Sequence, residues 1–180
     1  MKLSPILLFF LTTPVFAIGL EVMGGYSKGS FENDSNSGEL SGPTLAAKVG
    51  TSGKKLPFSV GGEVSWSNLN FKPEDGGEEK DYQRLELGPY VGLVLPDIPF
   101  IPKRIWASYL LFNQLSNSDQ TFKGSGYRLG IGDSIPILPV MVNAVYTSHK
   151  YDSLEGTGNE NALPINAESY AIYVSFPFEL

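Results

Sequence analysis

The single histidine of this 180-residue chain, His149, stands in the segment YTSHKYDS, among hydroxyls and carboxylates that could make it a general base. An imidazole can draw a proton from a serine such as Ser148 or Ser153 while Asp152 or Glu155 orients the ring. Adjacent residues of a strand point to opposite faces, however, so Ser148 is poorly placed for His149. The expectation for His149 is therefore a rim or interior residue, with catalysis as the weak alternative. One histidine excludes a multi-histidine zinc site and the HExxH arrangement. The glycine-dense run GSGYRLGIGD (124–133) precedes no helix, so it lacks the terminus that would bind a phosphate. Gly-x-Ser-x-Gly is absent, which removes the hydrolase elbow. The acidic segment PEDGGEEKD (73–81) could hold a divalent cation but does not match an EF-hand loop, and is expected to be a solvated loop. No cofactor or metal is expected.

The second candidate chemistry is electrostatic. Glu63, Arg84, Glu86 and Arg128, with Lys48 and Glu21, occur singly on strand faces otherwise rich in Gly and Ser. Such faces suit a narrow polar interior better than a solvated surface. Charges placed inside must pair, because an isolated buried charge is very costly. These six residues are expected to form one internal network.

The elements that would position them are strands. Eight runs alternate in character, at about 18–27, 41–51, 57–70, 82–95, 105–115, 123–134, 139–150 and 168–180. In the fourth, Leu85, Leu87, Val91, Leu93 and Leu95 share one face, and Arg84, Glu86, Gly88 and Tyr90 the other. The fifth is ambiguous, since Ile105/Ala107/Tyr109/Leu111 and Trp106/Leu110/Phe112 are both apolar rows. Connections after even-numbered strands are short or proline-rich, and those after odd-numbered strands are longer and polar. Lys54, Lys55, Lys103 and Arg104 fall in the short turns, where they are expected to anchor at lipid headgroups. Trp66, Tyr26, Tyr82, Tyr109 and Tyr146 are candidates for aromatic girdles.

Both ends of the chain point to export. MKLSPILLFFLTTPVFA has one basic residue, an apolar run too short to span a bilayer, and small residues at Val15 and Ala17. Residues 1–17 read as a signal peptide and 18–180 as one domain. No later stretch reaches the roughly 20 apolar residues of a transmembrane helix. At the other end, Tyr170, Ile172, Val174, Phe176, Phe178 and Leu180 share one parity, giving an apolar-aromatic face that runs to the last residue. There is no cysteine, and the net charge of −6 argues against nucleic acid as a partner.

The final strand resembles the C-terminal signature of bacterial outer-membrane barrels, which the barrel-assembly machinery recognises; Leu180 stands where Phe is usual. The strand count, loop asymmetry and leader resemble the small eight-stranded family that includes the OmpA transmembrane domain, OmpX and OmpW. That resemblance implies an all-β fold, an eight-stranded antiparallel transmembrane up-and-down β-barrel in the outer membrane. Its partners would be outer-membrane lipids and lipopolysaccharide, and it would be a monomer. The implied role is structural, or recognition through outer loops over a side-chain-filled polar lumen. The alternatives are a lipid A-modifying enzyme acting around His149 and a narrow OmpW-like channel for small or apolar solutes.

Overall fold

The computed structural model describes residues 17–32, 37–52, 57–96, 98, 101–156 and 163–179. The leader before Ala17, the turn lysines Lys54 and Lys55, and Leu180 lie outside the described residues. Eight antiparallel strands close into one barrel: β1 (Ala17–Glu32), β2 (Ser37–Ser52), β3 (Phe58–Pro73), β4 (Lys80–Val94), β5 (Arg104–Ser116), β6 (Gln120–Ser134), β7 (Met141–Gly156) and β8 (Ile165–Glu179). Each strand pairs with its neighbours in sequence, and β8 closes on β1. Closure leaves no unpaired edge.

The register fixes the barrel's shape. From Ala17 the direct partners run through Ser52, Ser59, Gly92, Trp106, Gly130, Val145 and Ala171, and return to β1 at Ser27, ten residues from the start. That stagger over eight strands tilts each by about 40° and advances about 2.5 Å along the barrel axis per residue.

Carried around this stagger, six outward aromatics, Tyr26, Trp66, Tyr109, Tyr127, Tyr146 and Tyr170, fall within about 5 Å of one height. They form a ring, and Tyr146 packs against Tyr127 and Tyr170 at centroid distances of 6.2 and 5.3 Å. Outward Ile18, Phe58 and Phe178 lie about 20 Å nearer the short-turn end. Between these levels the outward positions are apolar, among them Val22, Leu45, Val64, Leu87, Leu129, Ile172 and Val174, all exposed. The belt matches the apolar band of roughly 25 Å on a membrane-spanning barrel.

Beyond the aromatic ring, on the side of the longer loops, the pattern inverts. Outward positions there are polar: Lys28, Asn68, Lys72, Gln83, Lys150 and Glu168. Inward positions become apolar. Phe31, Leu40, Leu69, Tyr82, Leu115, Phe122, Tyr151, Ile165 and Ala167 form one buried cluster, with Phe71, Leu154 and Leu163 packed on it. Edge-to-face aromatic contacts link Phe31 to Phe71 and to Phe122 at 5.5 and 5.9 Å. This cluster sits about 10–15 Å beyond the ring and caps the lumen. The cap extends the strands past their expected ends: β1 reaches Glu32 rather than 27, and β7 reaches Gly156 rather than 150. Tyr82, expected in a girdle, instead belongs to this cap, where Gln120 donates to its hydroxyl at 2.9 Å.

Two irregularities adjust side-chain direction. A bulge in β5 between Leu110 and Asn113 leaves Leu111 and Phe112 both exposed, then returns Asn113 and Leu115 to the interior. This resolves the ambiguous fifth strand: Trp106, Ser108 and Leu110 point inward, and Tyr109 outward. A second bulge, beside Lys123 and Gly124, places the extra residue at Asp152 in β7.

Candidate functional site

The lumen between the cap and the short-turn end is lined by ionisable and hydroxyl side chains. Alternation carries Glu21 of β1, Lys48 of β2, Glu63 of β3, Arg84 and Glu86 of β4, and Arg128 of β6 to the inner face, where all six are buried. Arg128 is the central clamp. Its Nη1 donates to Glu63 Oε1 and its Nη2 donates to Glu86 Oε2 at 2.6 Å, while Nε donates to Thr147 at 3.1 Å. Ser108 donates to Glu63 Oε2 at 2.8 Å, and Ser65 donates to Glu86. Each carboxylate thus has one charged and one neutral donor, the condition for holding a charge in low dielectric.

Toward the cap, Arg84 Nη1 lies 3.0 Å from His149 Nε2 and its Nε 3.8 Å from Glu86 Oε1. A guanidinium can only donate, so Nε2 accepts from Arg84, and Nδ1 lies 3.4 Å from Glu86 Oε1. The Asn113 amide is 3.1 Å from Nδ1, and Tyr151 stacks on the ring at 6.0 Å while donating to Asn113 Oδ1. A serine is present, but not either of the two the sequence offers. Ser169 Oγ lies 3.3 Å from Nε2, while Ser148 faces outward and Ser153 is exposed on the far side of the β7 bulge. Ser169, His149 and Glu86 mimic a catalytic triad in outline. Arg84 already occupies the nitrogen that would take the serine proton. His149 is 1% exposed and lies beneath the cap. Glu155, the other proposed orienting group, pairs with Lys123 at 2.6 Å on the surface.

Toward the short-turn end, sequence reasoning missed Arg104. Expected as a headgroup anchor, it instead turns into the lumen at the start of β5. It donates twice to Glu21, at 2.7 and 2.6 Å, and once to Asn143 at 2.9 Å; Asn143 donates onward to Ser175 at 2.9 Å. The signal was its parity: Arg104 shares a row with Trp106 and Ser108, the inner face of β5. Trp106 lies flat against Gly130, where a Cβ would overlap the indole. The Lys48 ammonium rests over that indole, 3.4 Å from the ring centroid. Of the proposed assembly face, Tyr170, Ile172, Val174, Phe176 and Phe178 point outward and are exposed.

No family model matches this chain, and no curated protein matches it in sequence. Among solved structures it is similar to the Neisserial surface protein NspA, with a TM-score of 0.57 at 14% identity over 88% of this chain and 97% of that one. It is also similar to Ail, the attachment invasion locus protein of Yersinia pestis, with a TM-score of 0.55 at 12% identity over 89% and 98%. Ail has also been solved with the heparin analogue sucrose octasulfate. Likeness at these identities speaks to fold, and the fold is that of the small eight-stranded outer-membrane β-barrels.

Proposed function

We propose that this chain is an integral outer-membrane barrel with a closed lumen, acting through its outer surface as a structural or recognition element. The observation that carries this reading is the inversion of the strand pattern at the aromatic ring. Below the ring the wall is apolar outside and polar inside, as lipid requires. Above it the wall is polar outside and packed with apolar side chains inside, as water requires. Strands built to stand in water beyond the membrane present a rigid surface, and the cap under it closes the route a solute would need.

That outer surface is acidic. Among the described residues beyond the ring, the five lysines Lys28, Lys72, Lys80, Lys123 and Lys150 face eleven acids: Glu32, Glu39, Glu74, Asp75, Glu78, Glu79, Asp81, Asp119, Asp152, Glu155 and Glu168. A polyanion of the kind seen with Ail would be repelled here, so a recognised partner is cationic or bridged by divalent ions to lipopolysaccharide phosphates. An open apolar groove of about 1100 Å³ runs outside the wall past Tyr26, Tyr170, Ala144 and Ala107, shaped for acyl chains of outer-membrane lipids. Phe178 and Leu180 would complete the signal read by the barrel-assembly machinery, and the folded protein would be a monomer.

Membrane fractionation with planar-bilayer recording tests the reading. The protein is expected in the outer membrane, resistant to high-salt extraction, and without sustained conductance. Recovery in the soluble periplasmic fraction would overturn the location. A stable open conductance would replace the closed lumen with a channel.

A further inference from the structure

The lumen charges do not balance. Among the described residues its cations are Lys48, Arg84, Arg104 and Arg128, and its carboxylates are Glu21, Glu63 and Glu86. The pairing assigns the surplus. Arg104 takes Glu21 through two short hydrogen bonds, Arg128 bridges Glu63 and Glu86, and Arg84 also faces Glu86. Lys48 is left with a share of Glu63 at 3.7 Å, too long for a hydrogen bond, although its side chain is only 3% exposed. An ammonium in that position is costly without a further counter-charge.

Of the four buried donors without an acceptor among the described residues, Arg84 Nε lies beside Glu86, and the other three belong to one cluster. Lys48 Nζ, the indole N–H of Trp106 and Arg104 Nε are all buried without a hydrogen-bond acceptor among the described residues. They belong to touching groups: Lys48 lies 3.4 Å, and the Arg104 guanidinium 4.9 Å, from the Trp106 ring centroid. Three donors of this one cluster, two of them cationic, lack an acceptor beside a surplus positive charge. The site lies in the short-turn half of the lumen, on the opposite side of the Arg128 clamp from the apolar cap.

We propose that a small monovalent anion of halide size binds in the short-turn half of the lumen, held by Lys48 Nζ, the Trp106 indole N–H and Arg104 Nε. A divalent oxyanion is excluded by the nearby Glu21 and Glu63 carboxylates, which a single negative charge tolerates beside two cations. The anion supplies the missing counter-charge and acceptor together, so it acts as a structural ion that completes the network. This rests on the lumen geometry and holds whether or not the outer surface has a recognition role.

Trp106 is itself the reporter, because the chain has two tryptophans and the other, Trp66, faces outward. The full barrel, folded in detergent as Trp66→Phe, is titrated with iodide at constant ionic strength against gluconate, and Trp106 fluorescence is followed. The proposal expects saturable quenching that chloride displaces. The iodide half-saturation should rise about threefold when chloride stands at roughly twice its own Kd. Neutral acrylamide should quench weakly and without saturation. Lys48→Met in the same background should remove the saturable component while the heat-modifiable gel shift of the folded barrel persists. Linear iodide quenching unaffected by chloride would overturn the site, as would saturable quenching that survives unchanged in a folded Lys48→Met. Should Lys48→Met fail to fold, the chloride competition in Trp66→Phe decides the matter without it.

Discussion

Arg128→Met is the sharpest test of the lumen network. The guanidinium bridges two carboxylates from β3 and β4, so its removal strands both. Glu63 keeps Ser108 and a long contact to Lys48 at 3.7 Å, and Glu86 keeps Ser65 and Arg84 at 3.8 Å. Those remaining cations soften the loss without replacing the short contacts. Breaking a buried pair typically costs about 3–5 kcal/mol, and methionine fills most of the vacated volume, so a loss of about 4 kcal/mol is expected. The comparison is Lys123→Ala, which breaks an exposed pair with Glu155 and should cost no more than about 0.5 kcal/mol. Urea unfolding of the detergent-folded barrel measures both. Adding Glu86→Gln to Arg128→Met should recover part of the loss, with a coupling energy of about 2 kcal/mol in the double-mutant cycle. Equal losses for Arg128→Met and Lys123→Ala, or a coupling near zero, would refute the claim that these charges depend on each other.

The cap and belt give further tests. Leu115→Ala should cost about 2–5 kcal/mol because it opens a cavity among packed side chains. Leu111→Ala, four residues away but exposed on the outer wall, should change stability in detergent by less than about 0.5 kcal/mol. Val174→Arg, near the middle of the apolar belt, should cost about 2–4 kcal/mol in refolding into lipid vesicles; Glu168→Arg, beyond the ring, should leave that refolding unchanged. His149→Leu should lower stability by about 1–3 kcal/mol, since Arg84 loses an acceptor in a closed interior. Mass spectra of lipid A from cells carrying that variant should match the wild type, and a changed lipid A profile would restore a catalytic reading of His149.

What the sequence makes legible follows from what a strand's period can encode. The apolar row from Tyr170 to Phe178 and the opposing polar rows of β3, β4 and β6 are two-residue patterns, and any segment long enough to repeat them declares its faces. Strand number and the asymmetry of the connections follow from the same reading. Three features escaped, two of them where the period changes meaning. Phe31, Leu40 and Phe122 stand in segments rich in Asp, Glu, Gly and Ser that read as loop, because the polar residues there are the outer wall of strands that have left the apolar belt, and Tyr82, read at the start of the fourth strand as a girdle residue, turns into the cap instead. One alternation thus carries opposite meanings on the two sides of the aromatic ring, and only the register, which sets Tyr26, Tyr109 and Tyr170 at one height, shows where the exchange falls. In β5 the bulge spends one residue without advancing the ladder, so no single parity describes the strand from Trp106 to Leu115. Arg104 was legible by parity yet misplaced by its neighbourhood, since a basic pair after a proline-rich turn is as compatible with a headgroup anchor as with an inward clamp on Glu21. Charge balance could have arbitrated. Without Arg104 the six expected lumen charges sum to zero, which looks complete; with it the described inward side chains carry four cations against three carboxylates, and that surplus is the ground on which the bound-anion proposal stands.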